Sequence, residues 1–197
     1  MTKFEAKNFN IPALKGISSK NIEEHMKLYQ GYVKHANLIV EHIEKFSNNS
    51  EEYAYELGEL QRRFSFEFNG MRNHEYYFAS LEGGSEELKE GKLKEEINKT
   101  FGSFDAFLNR FKAIAMTRGV GWAILYYDPA TQQLVTGWTD EQHIGELITC
   151  QPILMLDMWE HSFVFDYQPS GKKQYVEDFF QNLNWSVIEN NFESVAK

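Results

Sequence analysis

The chain has 197 residues, 42% hydrophobic and 15% aromatic, which is enough apolar surface for a proper core and excludes a disordered chain. A formal net charge of -9 argues against nucleic acid or an anionic membrane as the main partner, while leaving room for a small anionic substrate drawn in by a local field. The single cysteine, Cys150, excludes an internal disulfide and favours a reducing, cytoplasmic setting.

Residues 1–16 read as extended and loop-like, without an apolar stretch of signal-peptide length. Ser18 or Ser19 then caps a long helix, in which Ile22, His25, Tyr29, Tyr32, Val33, Ala36, Ile39 and Val40 share one face. "SNNSEE" is a turn with a new cap. A second helical tract runs from Glu51 to Leu81, with a break expected at Gly70, and the two tracts form an antiparallel hairpin. Glu82 to Gly91 is Gly-rich and charged and reads as the linker, which sets the expected units at 1–86 and 87–197. "KLKEEINKTFGSFDAFLNRFKAIAMT" is helical, "VGWAILYYDPATQQLVTGWTDEQ" is strand, Asp-Pro turn and strand, and "PILMLDMW" is a third strand. The chain closes in helix over "QYVEDFFQNLNWSVIENNFESVA". No run approaches the roughly 18 apolar residues of a membrane span.

Four residues stand out as candidate metal ligands: His25 on the buried face of the first helix, His74 on the second, Asp157 at the end of a buried strand and His161 four residues on. Three imidazoles and one carboxylate suit a first-row ion, and iron, manganese and zinc all fit by ligand type. Each residue alone has a plainer reading, a hydrogen-bonded core histidine or, for Asp157, a helix cap. The surrounding text favours the ligand reading.

That text resembles the iron/manganese superoxide dismutase family. "DMWEHSFVFDYQ" is similar to its D-x-W-E-H-[AS]-[FY] signature, "NHEYYF" to the segment around its second ligand, and "HMKLYQGYV" to its first-ligand helix. "FGSFDAFLNRF", "GVGWAIL" and "NWSVI" resemble further family segments, in family order over nearly the whole chain. The resemblance implies an α+β fold, an N-terminal antiparallel helical hairpin followed by an α/β domain with a three-stranded antiparallel sheet, the metal lying between the halves. It implies His25, His74, Asp157 and His161 as ligands of one manganese or iron ion. The ion would alternate between +3 and +2 while superoxide becomes dioxygen and hydrogen peroxide, with Tyr32 as the gateway tyrosine. It also implies a homodimer, or a tetramer built from it, in which Glu160 reaches His161 of the partner subunit.

The chain departs from the family in places. The outer-sphere Gln of many iron enzymes lies four residues before the second ligand, and here that position is Gly70. In manganese-type members it comes from the loop before the last strand, here Gln142, with His143 as the alternative; this leans the metal toward manganese, with Met155 a further neighbour. The first-ligand segment is one residue shorter than the family's, so its two extra histidines become Leu28 and Tyr29, the latter read as core packing. The family's cross-subunit His–Tyr hydrogen bond becomes Leu28 and Val164, expected as an apolar contact across the dimer. Trp122, Trp159 and Phe78 are expected as an apolar shell, His35 and His42 as surface residues, and Lys172 or Lys173 as the cation that draws superoxide inward. Two other readings compete. A metal-free interaction module on the same fold would not need four ligands, and other non-haem iron enzymes favour two histidines and one carboxylate.

Overall fold

The structure is a computed structural model and describes residues 3–196. Met1 and Thr2, which belong to the expected extended N-terminus, and Lys197, at the end of the expected second unit, lie outside the described residues.

Helix α1 (Ser19–Ser47) starts where the Ser18 side chain accepts the Asn21 N–H. Its buried residues are Asn21, His25, Tyr29, Val33, Ala36 and Ile39, a stripe of threes and fours that faces helix α2 (Ala54–Ala79). The expected break of α2 at Gly70 does not occur: the helix is continuous, and Gly70 is buried within it. The reason for a glycine there is close approach. A Cβ at Gly70 would lie 2.5 Å from Cδ1 of Tyr32, so the absent side chain is the space into which the phenol ring packs.

The expected helix after the linker is two helices, α3 (Lys92–Phe101) and α4 (Phe104–Ala115). Gly102 has φ 88°, the left-handed region that ends a helix, and the Ser103 side chain caps the next one through the Ala106 N–H. The C-terminal helix divides in the same way into α5 (Lys172–Asn182) and α6 (Trp185–Val195), because Leu183 is extended and the Asn184 side chain caps α6.

Strands β1 (Gly121–Asp128), β2 (Gln133–Asp140) and β3 (Gln151–Asp157) form one antiparallel sheet in the order β2-β1-β3. β1 is central and almost wholly buried, as its continuous apolar text requires. The register sets Trp122 opposite Asp157, which fixes an indole beside the carboxylate. A short 3-10 turn, Glu160–Ser162, follows β3 and packs on α1. It is tied there by Asn21 Nδ2 donating to Ser162 O and to Asp166 Oδ2, each at 3.1 Å. No helix among the described residues is long and apolar enough to cross a membrane.

Candidate metal centre

Two helices and one strand end bring four donors together. His25 lies on the inner stripe of α1, His74 on the inner face of α2, Asp157 at the last position of β3, and His161 in the 3-10 turn. One ligand atom from each lies within 4.8 Å of all the others. Oδ2 of Asp157 is the focus: Nε2 of His25 is 3.0 Å from it, Nε2 of His161 3.1 Å, and Nε2 of His74 3.5 Å.

The two oxygens of Asp157 serve different ends. Oδ1 accepts the Trp159 N–H at 2.8 Å, the turn-capping role expected of Asp, and Oδ2 faces the imidazoles. Its carbonyl accepts from Ser162 Oγ and Tyr175 Oη, both at 3.0 Å, so the strand end is held in place. His74 is oriented by Nδ1, which donates to Gly70 O at 2.6 Å. That bond fixes the tautomer and leaves Nε2 without a proton, buried and with no hydrogen-bond partner. An orphaned imidazole nitrogen aimed at a carboxylate oxygen is unfavourable in a dry core, and a cation between them removes the cost.

Charge states agree with this fit. Burial lowers His25, and it takes His74 down to about 3, with the neighbouring His25 adding to the effect. Both rings are therefore neutral at physiological pH, the form that binds metal. Burial acts to raise the Asp157 carboxyl, but His161 and His25 outweigh it and hold the group well below the usual carboxylate range. The set is thus two imidazoles held neutral by burial, a third imidazole on the 3-10 turn and one carboxylate anion, which fits a mononuclear site.

The apolar shell expected from the sequence surrounds it. Phe78 lies 4.9 Å from His25, Trp122 5.1 Å from His74, and Trp159 stacks on His161 at 5.6 Å. Met155 is buried on β3, opposite Ile124, two residues from Asp157. Tyr29 packs, as read: its ring stacks on His74 at 6.4 Å and its hydroxyl donates to Glu75.

Of the two loop candidates, Gln142 lies inside. It is fully buried; its Oε1 accepts the Trp122 indole N–H at 2.9 Å, its Nε2 donates to the Tyr32 hydroxyl at 2.9 Å, and its carbonyl accepts from Asn73 Nδ2. His143 is half-buried with its ring edge on Phe66 at 5.7 Å and its Nδ1 without a partner. Tyr32 lies 5.1 Å from His74. Burial first, and then the Asp157 and Glu67 carboxylates, raise its hydroxyl well above the usual phenol value, so it stays protonated. The geometry explains the shortened first-ligand segment. His25, Tyr29 and Tyr32 are spaced four and three apart on a regular α-helix, so all three reach one face.

Other sequence expectations are revised. His35 is exposed as expected, 3.8 Å from Glu67, but His42 is partly buried against Phe46. Lys172 donates to Thr117 O at 2.8 Å and its ammonium lies 5.8 Å from the Trp138 ring. The sequence reading missed Asn73 and Tyr175. Asn73 was in view beside His74 in the "NH" pair; Tyr175, eighteen residues past Asp157, carried no local signal.

Gly70→Ala gives a direct check of the packing around Tyr32. Alanine gains about 0.5–1 kcal/mol of helix propensity over glycine. Against that, a Cβ 2.5–2.9 Å from three Tyr32 ring atoms forces the ring aside, and overpacking of this kind costs about 1–3 kcal/mol. The clash should win, giving net destabilisation in denaturant titration and lower activity. A variant as stable and active as the parent would refute the close packing.

Comparison with known proteins gives a consistent result. A family model described as "Iron/manganese superoxide dismutases, C-terminal domain" matches residues 89–191. The chain is 34% identical to "Superoxide dismutase [Fe]" of Aquifex pyrophilus, over 99% of this chain and 93% of that protein. It is 32% identical to "Superoxide dismutase [Mn/Fe]" of Aeropyrum pernix, over 86% and 79%. It is 32% identical to "Superoxide dismutase [Mn]" of Mycolicibacterium smegmatis, over 96% and 91%.

Proposed function

The chain belongs to the iron/manganese superoxide dismutase family and is a superoxide dismutase, and from that premise we propose how its own residues carry the reaction. The observation that carries the reading is the convergence of His25, His74, Asp157 and His161, whose donor atoms would hold one iron or manganese ion. When bound, that ion supplies one-electron redox chemistry between its trivalent and divalent states, by which one superoxide is oxidised to dioxygen and the next is reduced to hydrogen peroxide with uptake of two protons.

The protein's part is to bind, orient and protonate. Asp157 supplies the anionic donor that favours the higher charge state. Phe78, Trp122 and Trp159 keep bulk water from the site. Gln142 is clamped at both ends of its amide by Trp122 and Tyr32, so it can hold a proton-bearing group in one orientation. Because the Tyr32 oxygen accepts from Gln142, its own O–H is left to donate toward the incoming anion.

We take manganese as the favoured metal, because the outer-sphere glutamine comes from the loop and Gly70 cannot provide one. Relatives named for iron, for both metals and for manganese match at 34%, 32% and 32% identity, too narrow a spread for the similarity to choose the metal. The units 1–86 and 87–197 belong to the same reading, with His25 and His74 from the first and Asp157 and His161 from the second. A cytoplasmic setting accords with the single cysteine. The deciding experiment is elemental analysis of the purified protein with activity of apo-protein reloaded with iron or manganese. A protein that binds neither, or is inactive with both, would refute the assignment.

A homodimer is part of the proposal. Glu160 is exposed beside His161, and Leu28 and Val164 are 44% and 40% exposed, near where the 3-10 turn packs on α1. We place Glu160 against His161 of the partner subunit in two symmetric bridges, with Leu28 and Val164 in apolar contact across the interface. Losing one partner of a polar pair strands a buried group at roughly 1–3 kcal/mol, whereas replacing both is nearly neutral. A double-mutant cycle on dimer dissociation with Leu28→His and Val164→Tyr should give a coupling of about 0.5–3 kcal/mol. Strict additivity, or a chain monomeric at micromolar concentration, would sink the interface.

A further inference from the structure

Superoxide is an anion, and the chain that consumes it carries a net charge of -9, so approach to the site needs a local positive charge to offset the global field. Lys172, expected in that role from the sequence, is bound to a carbonyl and packed by Trp138. Lys7 and Arg72 both bind Glu75, at 2.8 and 2.9 Å.

Arg63 is placed differently. Its guanidinium carbon lies 3.6 Å over the Phe66 ring. Phe66 in turn lies 6.0 Å from Tyr32, 6.4 Å from Trp159 and 5.7 Å from His143, so it is a wall of the site beside the gateway tyrosine. Arg63 Nε donates to Glu67 Oε1 at 3.0 Å, and its NH2 group is 3.0 Å from the same oxygen. The pair is one-sided: Glu67 is 7% exposed and Arg63 50%, so the outward end is the cation. Of the charges that act most on the Tyr32 hydroxyl, Asp157 and Glu67 are anions and Arg63 is the cation.

We propose that Arg63 steers superoxide to the site: stacked on Phe66 at the rim beside Tyr32, it cancels the buried Glu67 carboxylate and presents the positive end of the pair to solvent. The inference rests on the dismutase reading and adds the residue that governs substrate approach. Arg63 is a positioning residue; it touches neither the ligands nor the reacting atoms.

The test compares wild-type, Arg63→Gln and Arg63→Lys holoenzymes, loaded with the same metal, by kcat/KM across a range of ionic strength. At low salt Arg63→Gln should fall about three- to tenfold below wild type, one residue's share of the roughly 10–1,000-fold that electrostatic steering supplies. Its plot of log kcat/KM against the square root of ionic strength should be shallower, and the curves should converge at high salt. Arg63→Lys keeps the charge and should keep most of the wild-type slope. Azide, as a small anionic probe titrated by the absorption of the loaded metal, should bind Arg63→Gln more weakly at low salt. Because Arg63→Gln leaves Glu67 buried without its cation, Arg63→Gln with Glu67→Gln serves as the second variant, and it should lose the wild-type slope with metal content intact. Equal slopes in wild type and Arg63→Gln, or Arg63→Lys as impaired as Arg63→Gln, would overturn this inference alone. Metal-loaded wild type without superoxide-consuming activity would overturn the dismutase reading and this inference with it.

Discussion

His161→Ala should lose most of its bound metal and nearly all of its activity while keeping its helical content. Among the four donors, His161 is the one whose removal separates ligation from folding. His25, His74 and Asp157 are fully buried, and the two histidine rings pack on Phe78 and on each other. Truncating either to Ala would open a cavity in the core, at a cost of several kcal/mol by analogy with other large buried rings, so lost metal could simply report lost structure. His161 instead sits in a three-residue 3-10 turn, with a side chain 21% exposed. The turn is held independently by Ser162 Oγ on Asp157 O and by Asn21 on Ser162 O. The His161 ring meets those of His25 and His74 at 5.0 and 5.7 Å, whereas the hairpin helices are held mainly by the apolar stripe they share. What the substitution does remove is one of three imidazoles around Asp157 Oδ2, and with it the completeness of the donor set. Elemental analysis and far-ultraviolet circular dichroism on the same sample check both halves of the expectation. Unchanged metal stoichiometry would refute His161 as a ligand; collapse of the helices would mean that the turn supports the fold after all.

Three of the four candidate ligands stand out in the sequence because they interrupt apolar pattern, although each alone reads as well as a core histidine or a cap, and the ligand reading comes from the resemblance of the flanking text to the family. His25 interrupts an apolar helical stripe, and Asp157 with His161 interrupts an apolar strand and its exit. A titratable group in such a place needs a partner, which is a local inference. The helical hairpin and the three strands were legible for a similar reason, since period and turn chemistry are written within each segment. Element boundaries were less so. Gly102 and Leu183 end helices through backbone conformation and caps that a periodicity reading runs straight across. Gly70 misled in the opposite direction: glycine inside a helix suggests a break, but this one exists for the Tyr32 ring, which comes from another helix. Tyr175 and Arg63 were invisible because their roles arise from pairs far apart in sequence or from the direction a side chain takes, neither of which has a local signature.

Gln142→Ala should cut activity roughly 10–100-fold with metal retained, the usual effect of removing a partner that orients the groups around a metal. The geometry behind the expectation is a chain of hydrogen bonds, Trp122 Nε1 to Gln142 Oε1 and Gln142 Nε2 to the Tyr32 hydroxyl, each 2.9 Å, lying inside the apolar shell. Alanine breaks both at once and leaves the buried Trp122 indole N–H unpartnered. That stranded donor costs about 1–3 kcal/mol of stability, so the variant should also unfold at lower denaturant. The activity loss should exceed what partial unfolding explains, because Tyr32 loses the donor that fixes its oxygen and hence the direction of its own proton. His143→Ala is the control from the adjacent position. Its ring meets Phe66 rather than the amide, and its Nδ1 has no partner to lose, so only a small change in rate is expected. Gln142→Glu refines the test. A carboxylate presents no N–H to Tyr32, so it should fail to restore activity although it nearly matches the amide in size. Steady-state rates normalised to measured metal content decide the matter. If His143→Ala proved the more damaging, the loop would have to present its other side chain to the metal, and the proton-holding role given to Gln142 would pass to His143.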